Sequence, residues 1–228
     1  FFMLLNVPIA VAIGAGTLLG LAMTTDTSPA IIAQRMYAAV DSFPLMAIPF
    51  FIVAGNFMER GGISRQLVDL AELFVGRLAG GLGQIAVVTS AFFAAISGSG
   101  PATTAAIGSI MIPAMERNNY DRAFATALEA TAGALGPLIP PSILFVTYGV
   151  ATGISISDLF LAGVVPGILT ALSLMVAVYV ISKKRGYVGT ETQVTGTVLW
   201  RRTLKASWAL FLPVLILGGI YGGIFTPT

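Results

Sequence analysis

A chain of 228 residues that is 56% hydrophobic and 10% charged, with mean hydropathy +0.91, lacks the polar surface of a water-soluble domain. The formal charge of +2 does not signal nucleic acid, because the basic residues sit in short segments between apolar blocks. With neither Cys nor His, the sequence excludes disulfides, thiol catalysis, His-ligated haem and the usual zinc sites. An all-α polytopic membrane protein is expected.

Phe1 to Met23 reads as a first span, ending in the polar stretch Thr24 to Pro29. It opens on Phe1-Phe2 inside an apolar run with no initiator Met, so a preceding segment is expected. A mixed segment from Ile31 to Phe43 leads to a second apolar block, Pro44 to Met58. Asp41, ahead of Ser42 and Pro44, reads as a helix cap, and Asn56 as a bond to a neighbouring helix. From Ile63 the apolar residues Ile63, Leu67, Leu70, Phe74 and Leu78 recur at helical spacing among Arg65, Asp69 and Glu72. That pattern is an amphipathic helix, lying along the membrane surface or serving as a solvated connector.

Residues 81–115 carry no charge and are interrupted once, by Ser97-Gly98-Ser99-Gly100-Pro101. Apolar arms reaching Ile96 and Met115 span about 24 and 21 Å as helices, against a hydrocarbon core of about 30 Å. Arms that short suit a re-entrant hairpin, or two tilted spans joined by a wet turn. A second interruption lies in residues 120–154, where a helical stretch from Tyr120 reaches Gly133 and Gly136 and meets Pro137-Leu138-Ile139-Pro140-Pro141-Ser142. Proline lacks an amide hydrogen and clashes with the preceding turn, so the helix breaks there. Irregular backbone at membrane depth survives only where it is buried in protein or lines a cavity.

Two long spans follow, Ser157–Ser182 and Ser207–Phe225, separated by the basic stretch 183–206. Lys183, Lys184, Arg185, Arg201, Arg202 and Lys205 place that stretch in the cytoplasm. Counting back, the broken helix rises from the cytoplasm, the hairpin has both feet there, and every Lys and Arg except Arg35 lies inside.

A helix broken inside a membrane exposes carbonyls on one half and amides on the other. Carbonyls suit a small hard cation, and amides at the positive dipole end suit an anion. Transporters use this arrangement near the midplane. Gly133, Gly136, Pro137 and Pro140 are candidate carbonyl donors, and Ser142 opens the second half-helix. The hairpin tip offers the Ser97 and Ser99 hydroxyls and a close backbone approach at Gly98, with Thr103 and Thr104 in the next turn. Hydroxyls and carbonyls without a carboxylate suit a monovalent ion such as Na⁺. The same small residues also serve ordinary helix packing. Glu129 is the one acid inside an apparent span, and proton coupling through it is the alternative to Na⁺. An ion channel built on a re-entrant loop would use mid-depth carbonyls too, but usually by repeating one segment around a pore.

Several stretches carry a resemblance: Val40 to Leu45 with Ile48-Pro49-Phe50-Phe51, Ser97 to Thr103, Ala106 to Pro113, Gly136 to Ser142, Tyr148-Gly149-Val150, and Leu159 through Gly167. Together they resemble the large membrane subunit of tripartite ATP-independent periplasmic (TRAP) transporters, over nearly the whole chain. Asn118-Asn119-Tyr120 departs from the family pattern, where Gly is expected before the Tyr.

The resemblance implies Na⁺-coupled uptake of carboxylate-bearing solutes, of the C4-dicarboxylate or sialic acid class, across the bacterial inner membrane. It implies a periplasmic substrate-binding protein, a small four-helix membrane subunit and an elevator mechanism built from inverted repeats, of which this chain holds the N-terminal half. On that pattern residues 1–79 are scaffold spans with an arm helix, 80–154 are transport-domain elements, and 155–228 are further spans. Ser97, Gly98, Ser99, Gly133, Gly136, Pro137 and Pro140 are then the expected ion ligands, and Thr103, Thr104 and Ser142 the expected solute contacts. The partners expected are lipid, solute and protein, with no nucleic acid.

Overall fold

The structure, a computed structural model, describes residues 7–24, 28–190 and 196–226. All regular secondary structure among them is helical. The chain forms two units, residues 1–43 and 44–228.

The first unit holds α1 (Ile9–Thr24) and α2 (Pro29–Val40). Ser28 caps the start of α2, its hydroxyl accepting from the Ala30 amide. Asp41 does act as a cap, but at the C-terminal end of α2, through its own N–H to the Tyr37 carbonyl. The Phe1 end of the expected first span lies outside the described residues.

A 3₁₀ turn (Phe43–Met46) begins at the last residue of the first unit, and the second unit continues with α3 (Ala47–Arg60) and α4 (Ile63–Val75). The amphipathic helix expected from Ile63 is present, with its buried stripe displaced. Leu67, Leu70, Ala71 and Leu73 are buried, while Phe74 is 66% exposed and Leu78 falls beyond the helix end. The stripe turns that way because α4 packs against two protein neighbours, α5 (Gly81–Ser97) and α10 (Gly196–Tyr221).

α5 and α6 (Gly100–Arg117) form the expected helical hairpin, joined by Gly98-Ser99. Its arms are longer than the apolar runs suggested. Gly100 and Pro101 already belong to α6, because proline is tolerated in a first turn, and the helix continues through Pro113. The arms reach about 26 and 27 Å, so length alone does not distinguish a re-entrant hairpin from two short spans. Asn119, in the short loop after α6, has a left-handed φ of 62°. Glycine takes this conformation most readily and asparagine tolerates it, which accounts for the departure from the family pattern.

The break is present as well. α7 (Arg122–Gly133), capped by Asp121, and α8 (Ile143–Thr152), capped by Ser142, flank irregular residues 134–142, with a cis bond between Pro140 and Pro141. At about 18 and 15 Å the two halves together match one bilayer crossing. The break rests on α9 (Ile156–Arg185) at two glycines. A side chain at Gly163 would collide with Phe145 and the Leu138 carbonyl, and one at Gly167 with Ile139. Small residues four apart let irregular backbone settle this closely.

α9 and α10 are long and apolar enough to cross a membrane, and only 11% and 17% of their most apolar windows are buried. Leu161, Val165, Ile168, Leu169, Leu172 and Val176 all face outward. Exposure on that scale needs lipid as the solvent.

The basic stretch 183–206 differs from the loop expected. Lys183 to Arg185 end α9, and α10 begins at Gly196. The polar residues stay helical because α4 holds them. Ala206 is buried against Leu70 and Leu73, and Arg202 Nη1 pairs with Glu72 Oε2 at 2.6 Å.

Candidate ion and solute site

The tip of the hairpin is braced by its own side chains. α5 ends at Gly98, whose φ of +60° is the left-handed conformation that releases the chain from the helix. Ser99 then caps α6, its hydroxyl 3.5 Å from the Ala102 amide. Thr103 Oγ1 donates to the Ser99 carbonyl at 2.8 Å and lies 3.1 Å from Ser97 Oγ. With the Thr103 proton used on Ser99, the Ser97 hydroxyl donates to Thr103, accepts from the Ser99 amide at 3.4 Å and keeps one lone pair to offer.

The break is braced the same way. Ser142 Oγ donates to the Pro137 carbonyl at 2.8 Å and accepts from the Phe145 amide at 3.5 Å. The carbonyl of Gly133 accepts from the Gly136 amide. Among the described residues no donor reaches the carbonyls of Gly136 or Pro140.

Tip and break pack directly on each other. The Ile143 amide donates to the Gly98 carbonyl at 3.1 Å. A Cβ on Gly136 would lie 2.5 Å from both the Gly100 nitrogen and the Ser99 carbonyl carbon, and one on Gly98 would lie 2.7 Å from the Pro141 oxygen. One on Gly133 would collide with Thr104 Oγ1. Two interruptions about forty residues apart in the sequence therefore form one polar seam, and every residue expected at the site is at the seam or within one turn of it.

The seam sorts those residues by what each can still do. Thr103 and Ser142 are fully buried and committed to bracing. Thr104 is half-buried, its hydroxyl 3.5 Å from the Glu129 carbonyl. The Gly133 and Pro137 carbonyls each accept one bond, whereas the Gly136 and Pro140 carbonyls and the Ser97 hydroxyl keep free lone pairs. Oxygens of this kind suit a weakly held monovalent cation, and the seam contributes no carboxylate.

Sequence reasoning missed one contributor. α3 approaches the tip where a Cβ on Gly55 would come within 3.6 Å of the Ser97 Cβ. Asn56 and Gly55 line a cavity of about 180 Å³ together with Phe51, Phe93, Ser97 and Ser99. The asparagine expected to bond another helix is exposed and lines the same cavity as the tip's serines. Its only signal in the sequence was its polarity in an apolar block.

The family model for the DctM component of the tripartite ATP-independent periplasmic transporter matches residues 1–228. The isethionate TRAP transporter permease protein DctMQ of Oleidesulfovibrio alaskensis is 49% identical over 227 residues, which cover 100% of this chain and 36% of that protein. The C4-dicarboxylate TRAP transporter large permease protein DctM of Vibrio cholerae is 45% identical, over 99% of this chain and 50% of its own length. The 2,3-diketo-L-gulonate TRAP transporter large permease protein YiaN of Escherichia coli is 42% identical, over 87% and 46%. The chain thus spans about half the length, or less, of these relatives.

Proposed function

Because the chain belongs to the DctM-component family of tripartite ATP-independent periplasmic transporters, we propose that it is the N-terminal half of a large permease subunit that moves small organic anions into the cell, driven by Na⁺. The relatives are named for a sulfonate and for carboxylates, so the shared chemistry is a compact anion. C4-dicarboxylates and sialic acids both fall in that class. The transporter works in the bacterial inner membrane with a small four-helix subunit, a periplasmic substrate-binding protein and the second half of the large subunit.

The observation that carries this reading is the seam between tip and break. If α7 and α8 cross the bilayer as one broken span, the break lies near its middle. The tip, bonded to the first residue of α8, lies at the same depth, which supports a re-entrant hairpin. Free oxygens at Ser97, Gly136 and Pro140 would take Na⁺, with Gly98, Ser99, Gly133 and Pro137 shaping the backbone around it. The amide end of α8 and the Thr104 hydroxyl would face the anion, and Thr103 and Ser142 would hold those groups in place. Movement of hairpin and broken helix together against the outer helices is the elevator step.

The complete transporter, reconstituted in liposomes with its binding protein, tests the coupling. Uptake should require an inward Na⁺ gradient and stop when K⁺ replaces Na⁺. Equal uptake in K⁺ would overturn the reading.

A further inference from the structure

Glu129 sits near the middle of α7, fully buried, and neither carboxylate oxygen has a hydrogen-bond partner among the described residues. α5 and α6 make the main contacts with α7. On α5, which packs against α7, the Ser90 hydroxyl is also fully buried and has no hydrogen-bond partner among the described residues. α6 brings Gly108 close; a Cβ there would be 3.8 Å from the Glu129 Cβ.

Among the described residues no counter-charge is nearby. α5 has no charged residue. Those of α6, Glu116 and Arg117, lie at its far end, where Glu116 pairs with Arg122 at 3.1 Å. Arg122 and Asp121 open α7, about 10 and 12 Å from Glu129 along the helix axis. Arg185 of α9 is engaged there with Asp121 and the Phe124 ring.

An ion in this place would have left water with nothing to pair with, whereas a neutral acid needs one acceptor. We propose that Glu129 and Ser90 form a proton-binding site, in which the carboxyl keeps its proton and directs it to Ser90 Oγ. Two carboxylate oxygens and one hydroxyl fall well short of the about six oxygens that a hard cation gathers, but they suffice for a proton. The site is one turn from Gly133, where α7 meets the hairpin tip, and Thr104 bridges the two by lying over Gly133 and reaching the Glu129 carbonyl. Loss of the proton places a lone charge between α5, α6 and α7 and loosens the seam. The site is independent of which ion drives uptake.

The complete transporter in detergent, with wild type compared to Glu129→Gln, tests this. Between about pH 6 and about pH 9 the wild-type unfolding midpoint should fall by on the order of 5 °C more than that of Glu129→Gln, which mimics the neutral acid. Parallel slopes, or failure of Glu129→Gln to accumulate, would overturn the proposal. Infrared spectroscopy of the wild type gives a second readout. A carboxylic-acid carbonyl band that persists at neutral pH and shifts in D₂O is expected, and its absence counts against the site.

Discussion

The backbone N–H of Ile143 donates to the carbonyl of Gly98 at 3.1 Å, so the first amide of α8 is satisfied by the hairpin tip, not by its own segment. Helix starts leave such amides without intrahelical partners, and lipid offers none. The carbonyl that answers it belongs to the glycine whose left-handed φ ends α5. A displacement of the tip therefore leaves an unpaired donor at α8, and a displacement of α8 frees the tip carbonyl. This bond makes hairpin and broken helix one mechanical unit.

Adding one methyl group should show how tightly that unit is held. Gly136→Ala would place a Cβ 2.5 Å from two backbone atoms of the tip, which cannot swing aside as a side chain could. Overpacking of this kind costs about 1–3 kcal/mol. Uptake by the complete transporter should fall by about tenfold or more while the protein still reaches the membrane. Gly218→Ala is the control, since Gly218 lies in a helix without a left-handed φ and has nothing within 4 Å of its Cβ position. Similar losses in the two variants would mean that the seam contact is unimportant.

The hydroxyls at the tip should differ in their effects. Ser97 keeps one lone pair after its bonds to Thr103 and the Ser99 amide, whereas Ser99 spends its hydroxyl on the Ala102 amide. Ser97→Ala should raise the Na⁺ concentration for half-maximal uptake by about one to two decades, the equivalent of about 1–3 kcal/mol. Ser99→Ala should chiefly lower stability, by about 1 kcal/mol as a lost cap. Titration of uptake against Na⁺ for both variants separates the two effects. An unchanged Na⁺ dependence in Ser97→Ala would leave the tip as a packing turn.

Both interruptions were legible because their signals are local. Proline removes an amide wherever it falls, and Ser99 and Ser142 cap helices within three residues of themselves. Their meeting was not legible, since the Gly98–Ile143 bond joins residues 45 apart by backbone atoms common to every residue. The basic stretch 183–206 misled for a related reason. Its polarity reads as loop, and the Glu72 partner that keeps Arg202 helical is 130 residues away. Ser90 carried no signal at all, since what marks it is burial without a partner on a helix packed against α7. The burial of α4 was legible as a stripe, but its direction, with Phe74 left outside, depends on α5 and α10.

The proposed topology makes opposite demands on two loops, and the absence of native cysteine makes it easy to probe. Asn118, in the loop between hairpin and broken helix, should face the cytoplasm, and Ile154, between α8 and α9, the periplasm. Both are exposed. In intact cells an impermeant thiol reagent should label Ile154→Cys and reach Asn118→Cys only after permeabilisation. The reverse pattern would invert the membrane orientation of every element.

The pair Arg202 and Glu72 should anchor α10 to α4. Arg202 Nη1 bonds both the Glu72 carboxylate, at 2.6 Å, and the Asp69 carbonyl, at 3.0 Å. The side chains are 27% and 24% exposed, so solvent screens the pair only in part. A charge-assisted bond in that setting is worth about 1–2 kcal/mol, more than an exposed ion pair and less than a buried one. Arg202→Ala should therefore lower the unfolding midpoint of the detergent-solubilised transporter by about 2–8 °C. If the anchor is electrostatic, Arg202→Glu should be worse than Arg202→Ala, because it sets two carboxylates together. Combining Arg202→Glu with Glu72→Arg should recover part of the loss; full recovery is not expected, since the bond to the Asp69 carbonyl needs a donor on α10. A double variant no better than the sum of its single changes would show that α4 and α10 are held by Leu70, Leu73 and Ala206 alone.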